Sequence, residues 1–233
     1  MAMTGSHSDM GEEKIPGTRA RLSSAVLVIG GVCVLVELGL QASDFHLIGS
    51  PLWRSLAYQS GAFWPGLLHG WKPNYPLQPV AMFLTYAFLH GGFGHLAGNM
   101  ITLLALGEVV MARVGQKGFL LIYAVSALVG AALFGVLATG PLPMVGASGA
   151  LFGLMGAWLY WDFIDPERRR RRFWRLVRGA GILVVLNVVL WVLFDGRLAW
   201  QAHLGGALAG WATAAALNRW SAGRTGGLPG HRE

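Results

Sequence analysis

Apolar residues fall in long runs separated by short polar or basic segments, and these runs set the expected architecture. The first covers Leu22 to about Ala42, the second about Phe93 to Val114, and the third about Phe119 to Ala138. The fourth runs from Ser148 to about Phe163, the fifth from about Gly179 to Phe194, and the sixth from Gln201 to near Trp220. Such runs approach the roughly 20 apolar residues that carry a helix across a bilayer. A helix satisfies its own backbone polar groups there. The pattern therefore predicts an all-α, polytopic membrane protein with six transmembrane helices in one bundle. Residues 43–92 break the pattern, with Pro51, Pro65, Pro73, Pro76 and Pro79 among Trp53, Trp64 and Trp71. This segment is not expected to span, and its amphipathic rings suit the headgroup layer. The predicted organisation is a short polar tail at 1–21, a membrane domain at 22–220 and a flexible tail at 221–233.

Composition agrees: 54% of the 233 residues are hydrophobic and only 12% are charged. The net charge of +7 would suit nucleic acid, but its distribution argues for topology instead. With six spans, both termini share a side. That side collects 15 of the 18 basic residues, among them Arg168 to Arg172, Arg175 and Arg178; the other side has Arg54, Lys72 and Arg197. The positive-inside rule then places both termini in the cytoplasm. The single cysteine, Cys33, excludes an intramolecular disulfide and a thiolate metal cluster. Residues 1–18 contain no apolar stretch of the kind a cleavable signal needs. Glu37, near the far end of the first run, is expected to reach the interface.

Candidate chemistry gathers at one depth. Spans two, four and six each begin on the non-cytoplasmic side, and their starts carry His90, His95 and Asn99, then Ser148, then His203. His95 and Asn99 are four apart and share a helix face. Ser148 stands in Gly146-Ala147-Ser148-Gly149, where a Pro-bearing loop opens into an apolar run. A hydroxyl at a helix N-terminus sits beside unpaired N–H groups and the positive end of the dipole. The plain alternative is that Ser148 merely caps the helix. Gly149 and Gly153, and again Gly206 and Gly210, form small-residue faces at spacing four, so spans four and six are expected to pack closely. A serine, histidines and amide donors converging inside a membrane are the parts for acyl transfer. No carboxylate accompanies them in sequence except Asp195 in the loop before span six, so a dyad is the economical reading. A metal site is disfavoured, because no His-Glu-x-x-His occurs and no carboxylate lies near His90 or His95.

These motifs resemble those of the rhomboid family of intramembrane serine proteases. The resemblance rests on His90-x4-His95-x3-Asn99, on Gly146-Ala147-Ser148-Gly149 followed by Gly153, and on His203-Leu204-Gly205-Gly206 with Gly210. It covers roughly residues 22–220. It implies Ser148 as nucleophile and His203 as general base, with His95, Asn99 and the Ser148 backbone N–H as the oxyanion hole. His90 is then a supporting residue, and Phe152 packs against the imidazole where the family often has Tyr. Gly146, Gly149 and Gly206 support the site. No cofactor or metal is implied. Two family features are absent. A Trp-Arg pair expected nine and eight residues before the first histidine is Ala81-Met82, with Trp53-Arg54 upstream in another register. A Glu expected four residues after Gly107 is Met111.

The resemblance implies an endopeptidase that cleaves transmembrane proteins near the outer leaflet, with substrate approaching beside span five; the lack of a signal stretch and the basic inner loops fit a bacterial inner membrane. Water would reach Ser148 from the outer face, through a cavity lined in part by Gln201. Two other classes stand beside it: a non-proteolytic relative that binds and escorts membrane helices, and a small transporter. Relatives of the first kind typically lack the serine or the histidine, and this chain keeps both. The second calls for ionisable residues deep in several spans, and only Glu37 and Glu108 qualify, both near span ends.

Overall fold

A computed structural model describes residues 23–138, 140–193 and 198–225. The N-terminal tail, most of the C-terminal tail and Asp195 lie outside the described residues. The helices are α1 (Ser24–Asp44), α2 (Trp53–Gly61), α3 (Gln78–Thr85), α4 (Phe93–Leu137), α5 (Ser148–Ile164), α6 (Arg172–Leu193) and α7 (Trp200–Thr225). No strand occurs among the described residues; one antiparallel bridge joins Phe63 to Met144.

Among the described residues the chain is an all-α bundle, and its helices coincide with the six expected spans. Helix α4 is 45 residues long and contains two of them, divided at Gly115, whose φ of 69° is closed to most other residues. By length and composition, α1, α4 and α6 are apolar enough to cross a membrane. Helix α5, at 17 residues, meets the lower limit for a span. Helix α6 starts at Arg172, well before the expected Gly179. The arginines lower hydropathy without interrupting the helix, because Arg is itself a good helix former.

Segment 43–92 does not cross. It folds into α2, α3 and 3₁₀ turns at Pro65–Leu68 and Tyr86–Phe88. Its core is Phe63, Met82 and Tyr86, packed on Phe134 and Met144.

At their glycine faces, helices α5 and α7 lie backbone against backbone. A methyl placed on Gly206 would stand 1.9 Å from the Gly149 carbonyl oxygen, and one on Gly210 would stand 1.9 Å from that of Gly153. The second half of α4 completes the interlock, because a methyl on Gly130 would lie 2.7 Å from the Ala202 carbonyl. The expected packing of the two glycine faces is thus observed, and it is what brings the N-terminal ends of α5 and α7 together. The apolar seam continues inward through Leu103, Ile122, Leu151, Leu154 and Ala214.

Helix α6 stands apart. Only 6% of Phe173–Leu190 is buried, against 44% of the apolar window in α4. Val184, Val185, Val188 and Val192 face outward, as side chains in contact with lipid would. Its N-terminal end is tied to α5 by Arg175, whose Nε donates to Asp162 Oδ2 at 2.8 Å.

Candidate active site

Ser148 is the first residue of α5. The preceding residue, Ala147, takes the N-cap position and no side chain caps the helix. The hydroxyl is therefore not used for capping. Instead Ser148 Oγ lies 2.8 Å from His203 Nε2. The first backbone bond of the helix runs from the Leu151 N–H to the Ala147 carbonyl. The N–H groups of Ser148, Gly149 and Ala150 come before it, at the positive end of the helix dipole.

The loop carrying Ser148 is pinned on both sides. Phe63 and Met144 exchange N–H to carbonyl bonds of 2.9 Å, and the Gly146 N–H donates to the Tyr86 carbonyl at 2.9 Å. Tyr86 is itself anchored, its hydroxyl donating to the Ala127 carbonyl at 2.9 Å. Gly146 meets two requirements at once. Its φ is 112°, and a methyl there would come within 2.7 Å of the His95 ring.

His203 lies in the first turn of α7 and is 1% exposed, whereas Ser148 is partly open. The Phe152 ring stacks on the imidazole at 4.1 Å with planes 5° apart. The other ring nitrogen, Nδ1, lies 2.8 Å from Asn187 Oδ1. Asn187 Nδ2 donates to the Leu183 carbonyl one turn earlier in α6 at 2.9 Å. That bond fixes the amide orientation, because only the NH₂ end can serve a carbonyl. The oxygen then faces His203, so Nδ1 carries the hydrogen and Nε2 presents its lone pair to Ser148.

His95 and Asn99 are placed one turn apart in the first part of α4. The Gly91 N–H donates to His95 Nδ1 at 3.1 Å, which leaves the hydrogen on Nε2. That nitrogen points to the Gly146 turn, 2.8 Å from where a methyl on Gly146 would stand. Asn99 is buried; one N–H donates to the His95 carbonyl at 2.8 Å. Its second N–H remains for another acceptor. His90 is fully buried, 5.2 Å ring to ring from His95. Burial, and secondarily the neighbouring His95, pull its pKa down to about 4.

The segment leading to His95 is held by an arginine that the family register did not indicate. Arg54 grips Glu37 with both Nη atoms, at 3.1 and 2.9 Å, and donates from Nε to Asp44 at 2.6 Å. Arg54 Nη1 and the Tyr58 hydroxyl both donate to the His90 carbonyl, at 3.1 and 2.6 Å. Glu37 does not reach outward from the protein: it is 0% exposed, because the guanidinium and Gln41 satisfy it inside the fold. Burial opposes the charge of Arg54, and its bonds to Glu37 and Asp44 more than offset this and raise its pKa.

Sequence reading missed Asn187 and the role of Arg54. Asn187 did leave a signal, as the lone polar residue between Gly179 and Phe194. Polar side chains inside spans tend to be functional. Among the described residues, no group of three or more His, Cys, Asp or Glu could hold a metal.

Together these features define a membrane-embedded bundle with a hydrogen-bonded serine and histidine at the N-terminal ends of two glycine-packed helices. The rhomboid domain model matches residues 78–220. Among curated proteins, Rhomboid protease GluP of Bacillus subtilis is 36% identical over 144 residues, which is 61% of this chain and 27% of that protein. RHOMBOID-like protein 5 of Arabidopsis thaliana is 38% identical over 128 residues, 53% of this chain and 39% of that one. Rhomboid-like protease 1 of Toxoplasma gondii is 29% identical over 198 residues, 85% of this chain and 65% of that one. The chain thus spans less than two thirds of the length of each of these relatives. It belongs to the rhomboid family, and it is an integral membrane protein.

Proposed function

We propose that the chain is an intramembrane serine endopeptidase that cleaves transmembrane segments near the outer leaflet. The observation that carries this reading is the 2.8 Å bond between Ser148 Oγ and His203 Nε2, with the histidine's other nitrogen engaged as a donor. Ser148 Oγ attacks the scissile carbonyl carbon while its proton passes to Nε2. The oxyanion is held by the α5 N-terminal N–H groups, by His95 Nε2–H and by the second Asn99 N–H. The C–N bond then breaks, and Nε2 gives its proton to the leaving amine. Water, activated by the same nitrogen, releases the acyl group and restores Ser148.

The substrate helix approaches beside α6, the span with the fewest buried residues. It unwinds locally before attack, since a helical carbonyl is shielded and already bonded. The basic loop between α5 and α6 supports a cytoplasmic placement for both termini. We place the protein in a bacterial inner membrane, in keeping with the relative in Bacillus subtilis.

Cleavage of a fluorescently tagged single-span substrate in proteoliposomes, together with labelling by a fluorophosphonate probe in detergent, tests the proposal. Wild type is expected to cleave and label, and Ser148→Ala and His203→Ala to do neither. Equal cleavage by wild type and Ser148→Ala would sink the mechanism. A folded wild type that neither labels nor cleaves would favour the helix-escort class.

A further inference from the structure

We propose that Asn187 is a third member of the site, a positioning residue that orients the general base from a different span. The inference rests on the serine–histidine reading above and extends it. The dyad expected from sequence has no carboxylate partner, yet His203 Nδ1 is not left bare. Asn187 Oδ1 accepts from it at 2.8 Å, on a helix otherwise apolar from Gly179 to Leu193.

The chemistry favours a working role over a filler role. An imidazole acts as base toward a serine only when its hydrogen sits on the far nitrogen. In serine proteases, an orienting amide that offers its NH₂ to that nitrogen enforces the wrong tautomer and lowers kcat by up to about 10⁴. Here the NH₂ end is engaged by the Leu183 carbonyl, so the oxygen is what His203 meets. An amide arranged this way does what a carboxylate would do for orientation, without placing a second charge inside a membrane. Phe152 fixes the plane of the ring by stacking, and Asn187 fixes its rotation within that plane.

The test uses the full-length protein in proteoliposomes with the tagged substrate. Asn187→Leu removes the acceptor at similar volume, and Asn187→Asp restores an acceptor at the same reach. Gly31→Ala on α1, where a methyl meets nothing within 4 Å, serves as control. Asn187→Leu is expected to lower kcat by about 10²-fold, the scale of a misplaced catalytic group, while KM stays within about twofold. Asn187→Asp is expected to recover at least about tenfold of that loss. A kcat for Asn187→Leu within about twofold of wild type, a loss confined to KM, or an aspartate variant no better than leucine overturns the inference.

A second measurement does not depend on how well any Asn187 variant folds. In wild type labelled with ¹⁵N-histidine, the His203 resonances are assigned by their loss in His203→Ala. They are expected to show a hydrogen on Nδ1 and none on Nε2; the reverse tautomer overturns the inference. A wild type that labels and cleaves beside an unaffected Asn187→Leu sinks this inference alone. A wild type that does neither sinks the protease reading, and the tautomer still reports on Asn187.

Discussion

Replacing Gly206 with alanine changes one hydrogen into a methyl for which the fold has no room. The methyl would stand 1.9 Å from the Gly149 carbonyl oxygen and 2.8 Å from its carbon. Comfortable contact lies near 3.5 Å, so the α5 and α7 backbones must separate by about 1.5 Å. The obstacle is main chain on a helix, and no rotamer change relieves it. Overpacking of this kind costs about 1–3 kcal/mol. The functional loss is larger. Ser148 and His203 lie on the two helices being pushed apart, and a 2.8 Å bond widened by that amount passes beyond hydrogen-bond range. A misplacement of about 1 Å is worth about 10²-fold in rate. The expected outcome is a drop of a few degrees in Tm with a loss of about 10² in fluorophosphonate labelling rate. Gly31→Ala is the matched control, because a methyl there meets nothing within 4 Å. If Gly206→Ala labels within about twofold of wild type, the claim that glycine contact sets the Ser–His distance is wrong.

Arg54→Met leaves the fully buried Glu37 without its partner, and stranding one member of a buried ion pair costs about 3–5 kcal/mol. Unfolding midpoints should fall accordingly, and the double variant Arg54→Met/Glu37→Leu should regain most of the loss. His90 gains its proton in the fold only near pH 4, whereas an unfolded chain takes it up near 6.5. Its contribution to stability is therefore complete above about pH 6.5 and is lost as pH falls towards 4. The Tm difference between pH 7 and pH 5 should shrink in His90→Gln, and an unchanged difference would refute the assignment. Phe152→Leu removes a stacked ring worth about 0.5–1.5 kcal/mol, so kcat should fall by about 2- to 10-fold with KM unchanged.

Much of the bundle was legible from sequence because membrane helices write themselves locally. Apolar runs mark the spans, and glycines four apart mark the faces where α5 meets α7. Gly115 marks the break in α4 for a similar reason, since its φ of 69° is a demand on one residue. The parts that escaped depend on contacts between distant segments. Arg54 reaches Glu37 across 17 positions and the His90 carbonyl across 36. No spacing rule encodes such a reach, and the family's usual register for this arginine falls well downstream, at Met82. Asn187 escaped for another reason. Carboxylates near span ends are the natural place to seek a third member, whereas an amide within a span performs the same orienting task without a charge. The start of α6 lies ahead of its apolar run because hydropathy reports where lipid begins, and backbone hydrogen bonding continues past that point.

Helix α6, the span with the fewest buried residues, holds one end of the His203–Asn187 bond. If the substrate enters beside α6 as proposed, an outward swing of that helix would also withdraw Asn187 and free the imidazole to turn. On the proposed mechanism the doorway and the trigger would then be one moving part: the wider the portal stood, the less primed the serine would be. Such an interlock would keep an open enzyme idle towards whatever brushes past, and arm it only when the helix has closed again around what it let in.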